Sequence, residues 1–531
     1  MRLSRRTLTL ATLGAVPLLA GGWVVQSRSS RAGAQLLGQV MDLVANRFVD
    51  TVDAPNLYEK AARGLVKELN DPYSELFTPK QIADFSRTTN GRYGGIGMEI
   101  TPLPGGGVAV ARVFPNTPAE NAGIQEGDRI VQVDTANTRT WSSQQVSNAL
   151  LGSPGTKVKA SFLRAGVSAP IVANFTRAEI KIPAVPFSIT FDGTIGYVPV
   201  QRFSENTADE INGAVKALEA KGAKSVILDL RDNPGGILDE AIATSNLFLK
   251  RGQSVLSVRG RGGESMEYTA TAQPLAPTIP MVVLVNQYAA SASEIVAGAL
   301  QDHDRAVVMG QTSYGKGLVQ SVFPLDGGYA LKMTTAKWYT PSGRSIQKER
   351  KMIDGAYVEV HPDSLESDSA RRARPAYKSD AGRVVYGGGA ITPDIMVRPD
   401  TLSTAEQNLQ RALAPKFGQF FTALRDIAVE QKGKVATDFA VQPQWREELF
   451  NRLAKDSVKI DRAQWTAGQS YIDRQLELQV AHVAFGDSTQ ARHALKDDPQ
   501  LQRAIDLLKK GGTQKDLFAV AQAAARSAPQ R

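Results

Sequence analysis

Residues 286–320 read NQYAASASEIVAGALQDHDRAVVMGQTSYGKGLVQ, and the reading of this stretch decides the fold. An apolar run, Met281 to Val285, leads into it as a strand. Small residues and serines follow, then a helix, and the stretch closes on Lys316 between Gly315 and Gly317. A serine in the first turn of a helix lies in the positive end of its dipole, which favours developing negative charge nearby. The plainer role for Ser291 or Ser293 is an N-cap. Lys316 acts as a base only when neutral. Its ordinary pKa is about 10.4, and burial among apolar groups lowers such a value by several units. The stretch reads as a nucleophile, Ser291, with a base, Lys316.

A second reading of the lysine fails. Gly310 to Gly317, GQTSYGKG, nearly matches a phosphate-binding loop, G-x-x-x-x-G-K-[ST]. Gly317 stands where the magnesium-binding hydroxyl belongs, and Leu318 to Leu325 reads as strand where a helix is required. A Ser-His-Asp arrangement with Asp302 and His303 fails as well. Both end the helix that Ser291 opens, about 15 Å away at 1.5 Å per residue, so His303 reads as structural.

Upstream, Asp229 to Gly236 reads DLRDNPGG. A buried strand, Ser225 to Leu230, ends in a Pro-Gly-Gly turn that opens a helix. Such a turn is either an ordinary connection or a source of backbone N–H groups for an oxyanion. Strands at 194–200, 225–230, 281–285 and 305–309 alternate with helices at 207–220 and 238–250. This predicts a sheet covered by helices, with strands buried on both faces.

The preceding block has a different period. Tyr93 to Gly97 is a glycine loop that leads into alternation. Strands follow at 107–110 and 130–133, a helix at 142–151, and a strand pair at 158–163 and 171–175. With the run Pro118 to Ile130, PAENAGIQEGDRI, the block resembles a PDZ domain of the bacterial protease type. Gly94, Gly95, Ile96, Gly97 and Met98 occupy the place of that family's carboxylate-binding loop. Glycines let successive N–H groups face one anion, and the next strand offers an edge to a peptide. The implied ligand is a peptide C-terminus.

The chain has 531 residues, net charge +9 and no cysteine. It therefore has no disulfide, thiolate metal site or cysteine nucleophile. No basic run with interleaved aromatics points to nucleic acid. Four histidines leave little for a histidine metal site. Arg2, Arg5 and Arg6 precede an apolar run, Leu8 to Val25, in the layout of an export signal or membrane anchor, and Ser4 to Leu8 resembles a twin-arginine signal. Residues 35–84 read as helical up to the break at Asn70-Asp71-Pro72. After Thr401 the pattern is helical and carries no motif.

In this order the motifs resemble the bacterial C-terminal processing peptidases, or tail-specific proteases, of the Ser-Lys class. The resemblance runs from Leu36 to Asp394. It takes in Asp71-Pro72-Tyr73-Ser74, the PDZ block, Leu228 to Gly236, Ser291 to Ile295, Gly315-Lys316-Gly317 with Gln320, Tyr339 to Gln347, and Ile391 to Asp394. It implies Ser291 as nucleophile, Lys316 as general base and Gln320 as the residue that orients the lysine. If the segment is a strand, residues 316 and 320 face one way. The oxyanion hole is expected from Gly235 or Gly236 with Ala292. The family often writes S-A-S-A-S-E here. Ala289 replaces its first serine, and Ser291 is the middle one; Ser293 is the lesser candidate.

The expected architecture is multidomain α/β. A signal or anchor covers 1–34, a helical segment 35–90, an inserted PDZ domain 91–180, a crotonase-like Ser-Lys protease core 181–400 and a helical domain 401–531. The expected function is a serine endopeptidase cutting near protein C-termini, with no metal or organic cofactor. It would be exported to the periplasm or beyond, associated with the membrane through its N-terminus, and a homo-oligomer. The alternative is an inactive PDZ scaffold on a protease-like fold.

Overall fold

The computed structural model describes residues 32–103, 107–164, 167–353, 356–359 and 372–527. The signal or anchor expected over 1–34 falls, up to residue 31, outside them. The chain forms two compact units, one of residues up to 82 with 320–334, the other of 83–319 with 335 onward. Among the described residues no helix is long and apolar enough to cross a membrane.

In the larger unit six strands make a central sheet in chain order: β1 (Ile189–Phe191), β2 (Ile195–Pro199), β3 (Ser225–Asp229), β4 (Met281–Val285), β5 (Val307–Gly310) and β6 (Ile395–Met396). β1 is antiparallel to β2, and every other neighbouring pair is parallel. Parallel neighbours need crossovers. Helices α1 (Thr207–Ala220), α2 (Leu238–Asn246) and α3 (Ala292–Asp302) lie in these connections.

Strand alternation sends side chains to two cores. Val226 and Leu228 of β3 pack with Ile211 and Val215 of α1 and Val296 and Leu300 of α3. Ile227 points the other way, with Val282, Leu284, Val307 and Met309. That face is covered by the chain's last two described helices, α4 (Pro499–Lys510) and α5 (Gln514–Ser527), through Leu501, Ile505, Leu508 and Phe518. Leu501, Ile505 and Leu508 recur at i, i+4 and i+7, one stripe of a helix. The expected separate helical domain over 401–531 is therefore corrected at its end, because α4 and α5 complete the core of the central sheet. The intervening helices form their own core around Leu409, Phe420, Leu424, Leu449 and Ile472.

Residues 92–181 fold much as the sequence predicts. Strands Met98–Pro102, Val108–Val113, Arg129–Val133, Lys157–Leu163 and Ile171–Thr176 lie in that order in one antiparallel sheet, with helix Ser143–Leu150 packed on it. Met98–Pro102 is an edge strand. The sequence reading missed the antiparallel strands Ser254–Gly260 and Ser265–Thr269. Residues 336–339 pair with the first of these.

The smaller unit is less helical than expected. Helices cover 32–47 and Ala54–Lys67, but Glu75–Phe77 is a strand paired with residues 330–332. The Asp71 carboxylate accepts from Tyr73 N–H at 3.2 Å and from the Ser74 hydroxyl at 2.6 Å, closing the Asp71-Pro72 turn.

Candidate active site

Ser291 joins β4 to α3, and its backbone is the unusual feature of that junction. Its φ is 54° and its ψ −112°, where an N-cap is ordinarily extended. A non-glycine residue held there stores about 1–3 kcal/mol of strain. Ser291 is the N-cap of α3, in a capping box with Glu294, but a cap alone does not account for this conformation. Its surroundings over-determine it. Ser291 N–H donates to Glu294 Oε2 at 2.8 Å, Ala290 N–H to Asn233 O at 3.0 Å, and Tyr314 N–H to Ala289 O at 2.9 Å. Ser291 is half-buried. The Ser293 hydroxyl is fully buried and donates to Asn233 O at 2.9 Å, a structural role that disfavours it as nucleophile.

The Pro-Gly-Gly turn lies directly against this junction. A Cβ on Gly235 would come 2.6 Å from Ala290 O and 2.9 Å from both Ala292 N and Ser291 Cβ. Gly235 has φ +94°, so only glycine meets both conformation and space. The two glycines are not equivalent as donors. Gly235 N–H is taken by Asn233 Oδ1 at 2.9 Å. Gly236 N–H and Ala292 N–H have no hydrogen-bond acceptor among the described residues. Asn233 escaped the sequence reading. Buried completely, it also donates from Nδ2 to Val200 O at 2.7 Å and accepts Ala290 N–H, so it ties the turn to β2 and to the Ser291 junction.

Lys316 is half-buried on a loop fixed from both sides. Its N–H donates to Glu294 Oε2 at 2.9 Å and its C=O accepts from Trp338 Nε1 at 3.0 Å. Gly315 N–H and the Ser313 hydroxyl reach Glu294 Oε1 at 2.6 and 2.5 Å. Arg350 holds the carbonyls of Tyr314 and Gly315 at 2.5 and 3.2 Å and stacks 4.0 Å from the Tyr314 ring. Burial pushes the Glu294 carboxyl above its ordinary value, and its four donors oppose that shift. Ser291 and Lys316 thus hang from one carboxylate oxygen.

Gln320 belongs to strand Leu318–Pro324, and its amide donates to Thr334 Oγ1 at 3.3 Å. The strand starts two residues beyond Lys316, so alternation does not fix the two side chains on one face. His303 contacts Asp380 at 2.8 Å and Ser254 O at 2.7 Å, as a structural histidine should. The motif around Thr340 to Arg344 serves Asp302, which accepts from the Thr340 hydroxyl at 2.5 Å, Ser342 N–H at 3.0 Å and Arg344 at 2.7 Å.

A groove of about 620 Å³ runs along the edge strand Met98–Pro102. Ile96, Met98, Ile100, Phe114, Leu150 and Leu151 give it an apolar wall, Arg87, Arg112 and Arg202 give it positive charge, and Gly95 and Gly97 line it as well. Gly94 does not. A Cβ there would meet Gly152 O at 2.1 Å, so packing requires glycine at that position. Burial pushes the Tyr93 hydroxyl in the same groove up to about 12. A second cavity, about 840 Å³, lies beside β6 and α5 and has none of the candidate catalytic residues in its lining.

Residues 194–363 match the profile of peptidase family S41, residues 85–159 that of the PDZ domain, and residues 25–79 that of the activating protease CtpB N-terminal domain. The chain is 37% identical over 315 residues to a carboxy-terminal-processing protease of Bartonella bacilliformis, covering 58% of this chain and 71% of that one. It is 35% identical over 313 residues to the carboxy-terminal processing protease CtpA of Bacillus subtilis, covering 59% and 66%. A solved photosystem II D1 C-terminal processing protease is 29% identical, covers 63% of this chain and 87% of its own, and superposes with a TM-score of 0.35. The serine, lysine and glycine-turn motifs lie inside the S41 match, and the glycine loop with its edge strand lies inside the PDZ match. The chain therefore belongs to the carboxy-terminal processing proteases of peptidase family S41, serine peptidases that carry a PDZ domain.

Proposed function

We propose that the protein cuts substrates near their C-termini with Ser291 as nucleophile and Lys316 as general base. Neutral Lys316 takes the Ser291 hydroxyl proton as Oγ bonds to the scissile carbonyl carbon. The N–H groups of Gly236 and Ala292 receive the oxyanion, while Gly235 keeps the turn against Ser291. The intermediate collapses, the C–N bond breaks, and the leaving amine takes the proton from Lys316. Water then gives a proton to Lys316 and attacks the ester, and Ser291 regains its proton as the new C-terminus leaves. Gln320 orients the Lys316 ammonium, a role supported by the family resemblance.

One observation carries this reading: Ser291 N–H and Lys316 N–H bind the same oxygen of Glu294, at 2.8 and 2.9 Å. Two residues 25 positions apart in sequence are held to one atom, beside a turn with unoccupied donors. Purified wild type should cleave an unstructured protein with an apolar tail, and Ser291→Ala and Lys316→Ala should each lose at least about 10³-fold in kcat. Undiminished cleavage by Ser291→Ala would end the proposal.

The PDZ groove is the proposed capture site. Gly95, Ile96, Gly97 and Met98 hold the substrate carboxylate, and the edge strand pairs with the residues before it. The groove's apolar wall favours an apolar last side chain. The finer architecture belongs to the same proposal: a crotonase-like core over 181–400, its central sheet covered on one face by α4 and α5, with the PDZ domain inserted before it. Export, with an anchored or cleaved N-terminus, rests on Arg2, Arg5 and Arg6 before the apolar run. Exposed Leu36, Leu37, Val40 and Leu43 on one helix favour self-association through the N-terminal segment.

A further inference from the structure

We propose that Glu294 is a positioning residue that sets Ser291 and Lys316 relative to each other. The inference rests on the roles just assigned to those two residues. Glu294 is fully buried in the first turn of α3. Each of its oxygens accepts two hydrogen bonds. Oε2 takes Ser291 N–H and Lys316 N–H at 2.8 and 2.9 Å, and Oε1 takes Gly315 N–H and the Ser313 hydroxyl at 2.6 and 2.5 Å.

The chemistry of these partners fixes the ion. Three are amides, which only donate. The fourth, Ser313 Oγ, already accepts Ile391 N–H at 2.8 Å, which leaves its proton for Glu294. A carboxylate offers about four lone-pair sites, and all four are used. A carboxylic acid would bring a proton with no acceptor among these partners. The arrangement therefore fits the anion, and burial strengthens each bond by excluding water.

Its consequence is geometric. The nucleophile's strained backbone and the base's loop both lie beyond the end of the ladder that pairs β4 with β5. Ser291 follows β4 and Lys316 follows β5. One backbone bond, Tyr314 N–H to Ala289 O at 2.9 Å, also crosses between the loops, but the Glu294 carboxylate is what ties Ser291 itself to Lys316 itself. The Arg350 and Trp338 contacts hold the carbonyls of the lysine loop but do not touch Ser291. Displacement of a reacting group by about 1 Å can cost about 10²-fold in rate. An amide in place of the carboxylate cannot serve both pairs. Its one oxygen satisfies either Ser291 and Lys316 or Gly315 and Ser313, and its NH₂ meets donors on the other side.

The test compares wild type with Glu294→Gln, Ser313→Ala and Ser291→Ala. The readouts are kcat and KM on an unstructured tailed substrate, the rate of serine labelling by a fluorophosphonate, the thermal transition, and affinity for an apolar C-terminal peptide. Glu294→Gln should keep its thermal transition, hold KM and peptide affinity within about threefold, and lose about 10²-fold in both kcat and labelling rate. A loss of packing alone would lower the transition and leave the labelling rate of the folded fraction unchanged. Folded Glu294→Gln with kcat within threefold of wild type overturns the proposal. Should Glu294→Gln not fold, Ser313→Ala decides. It leaves the carboxylate in place with one donor fewer, and a kcat loss of about 5-fold at constant KM is expected, whereas unchanged kcat overturns the proposal. Ser291→Ala separates the two levels. If it still cuts, the nucleophile assignment fails; if it is dead while Glu294→Gln is fully active, only the positioning role fails.

Discussion

Arg231, in the turn after β3, meets Asp498, the N-cap residue of α4, at 2.6 Å. The same guanidinium grips Asp229 at 2.6 Å and donates to Gln500 at 2.9 Å, and Asp229 also accepts from the Tyr197 hydroxyl at 2.7 Å. The contact connects the chain's last helices to the residues that lead into Asn233, Gly235 and Gly236. A segment with no recognisable motif thus holds one end of the proposed oxyanion turn. Burial and the Asp229 charge pull the Tyr197 hydroxyl well above its usual range, consistent with a neutral phenol donating to a carboxylate.

Removing that charge should be felt in two ways. Asp498→Asn leaves Arg231 with Asp229 and Gln500, so the fold survives. The lost charge-assisted bond costs about 2 kcal/mol of stability, read as a shift in the urea midpoint. Looser support of the turn should also reduce kcat several-fold at unchanged KM. Equal kcat in the folded variant would separate the C-terminal helices from catalysis.

Gly235→Ala should act much more locally. The new Cβ would press on Ala290 O at 2.6 Å and Ser291 Cβ at 2.9 Å, at the proposed nucleophile. Either the turn or Ser291 must move. We expect a kcat loss of about 10²-fold with about 1–3 kcal/mol of destabilisation. Turnover and a thermal melt on the same preparation measure both. An active variant would mean that the turn does not contact the working serine.

Asp302→Asn tests a motif that is structural. Arg344 and Asp302 are buried to 0% and 1% side-chain exposure and meet at 2.7 Å. Burial lowers the Arg344 pKa, and Asp302 is the first charge opposing that loss. Breaking one side of such a pair leaves a buried cation unmatched and costs about 3–5 kcal/mol. Equilibrium unfolding in urea should show a loss of that size, and a loss below 1 kcal/mol would contradict the burial of the pair.

Much of this was legible in the sequence, for definite reasons. The run at 225–230 lacks alternation because β3 is covered on both faces, and buried parallel strands leave that trace. Ser291, Lys316 and the Pro-Gly-Gly turn could be named from their residue types and glycine neighbours. Glu294 could be seen but not interpreted, since three of its four partners are backbone amides, which carry no residue identity. The proposed choice of Gly236 over Gly235 as donor depends on the Asn233 side chain, which takes the Gly235 N–H and is invisible to pattern reading. The placement of α4 was also hidden. An apolar stripe such as Leu501, Ile505 and Leu508 looks the same whether it covers a sheet or another helix.

The contacts between the PDZ domain and the C-terminal helices should depend on pH. His482, on helix Gln469–Phe485, lies 3.2 Å from Asp487 and 3.0 Å from Glu126 of the PDZ domain. Asp487 also pairs with Arg112 of the groove at 2.9 Å, and Arg425 donates to Gly127 O at 2.8 Å. The Asp487 and Glu126 carboxylates beside it raise the His482 pKa to about 9, against the opposing effect of burial. Unfolded, the imidazole titrates near 6.5. The folded state therefore binds the proton more tightly, and the stabilisation is complete below about pH 6.5 and lost as pH rises through about 9. With solvent screening at this partly exposed site it is about 1–2 kcal/mol. His482→Gln should be less stable than wild type by up to that amount at pH 6, and the difference should vanish above pH 9. Urea unfolding at pH 6, 7.5 and 9.5 measures it. A difference independent of pH would mean that the imidazolium does not hold Glu126 and Asp487 together.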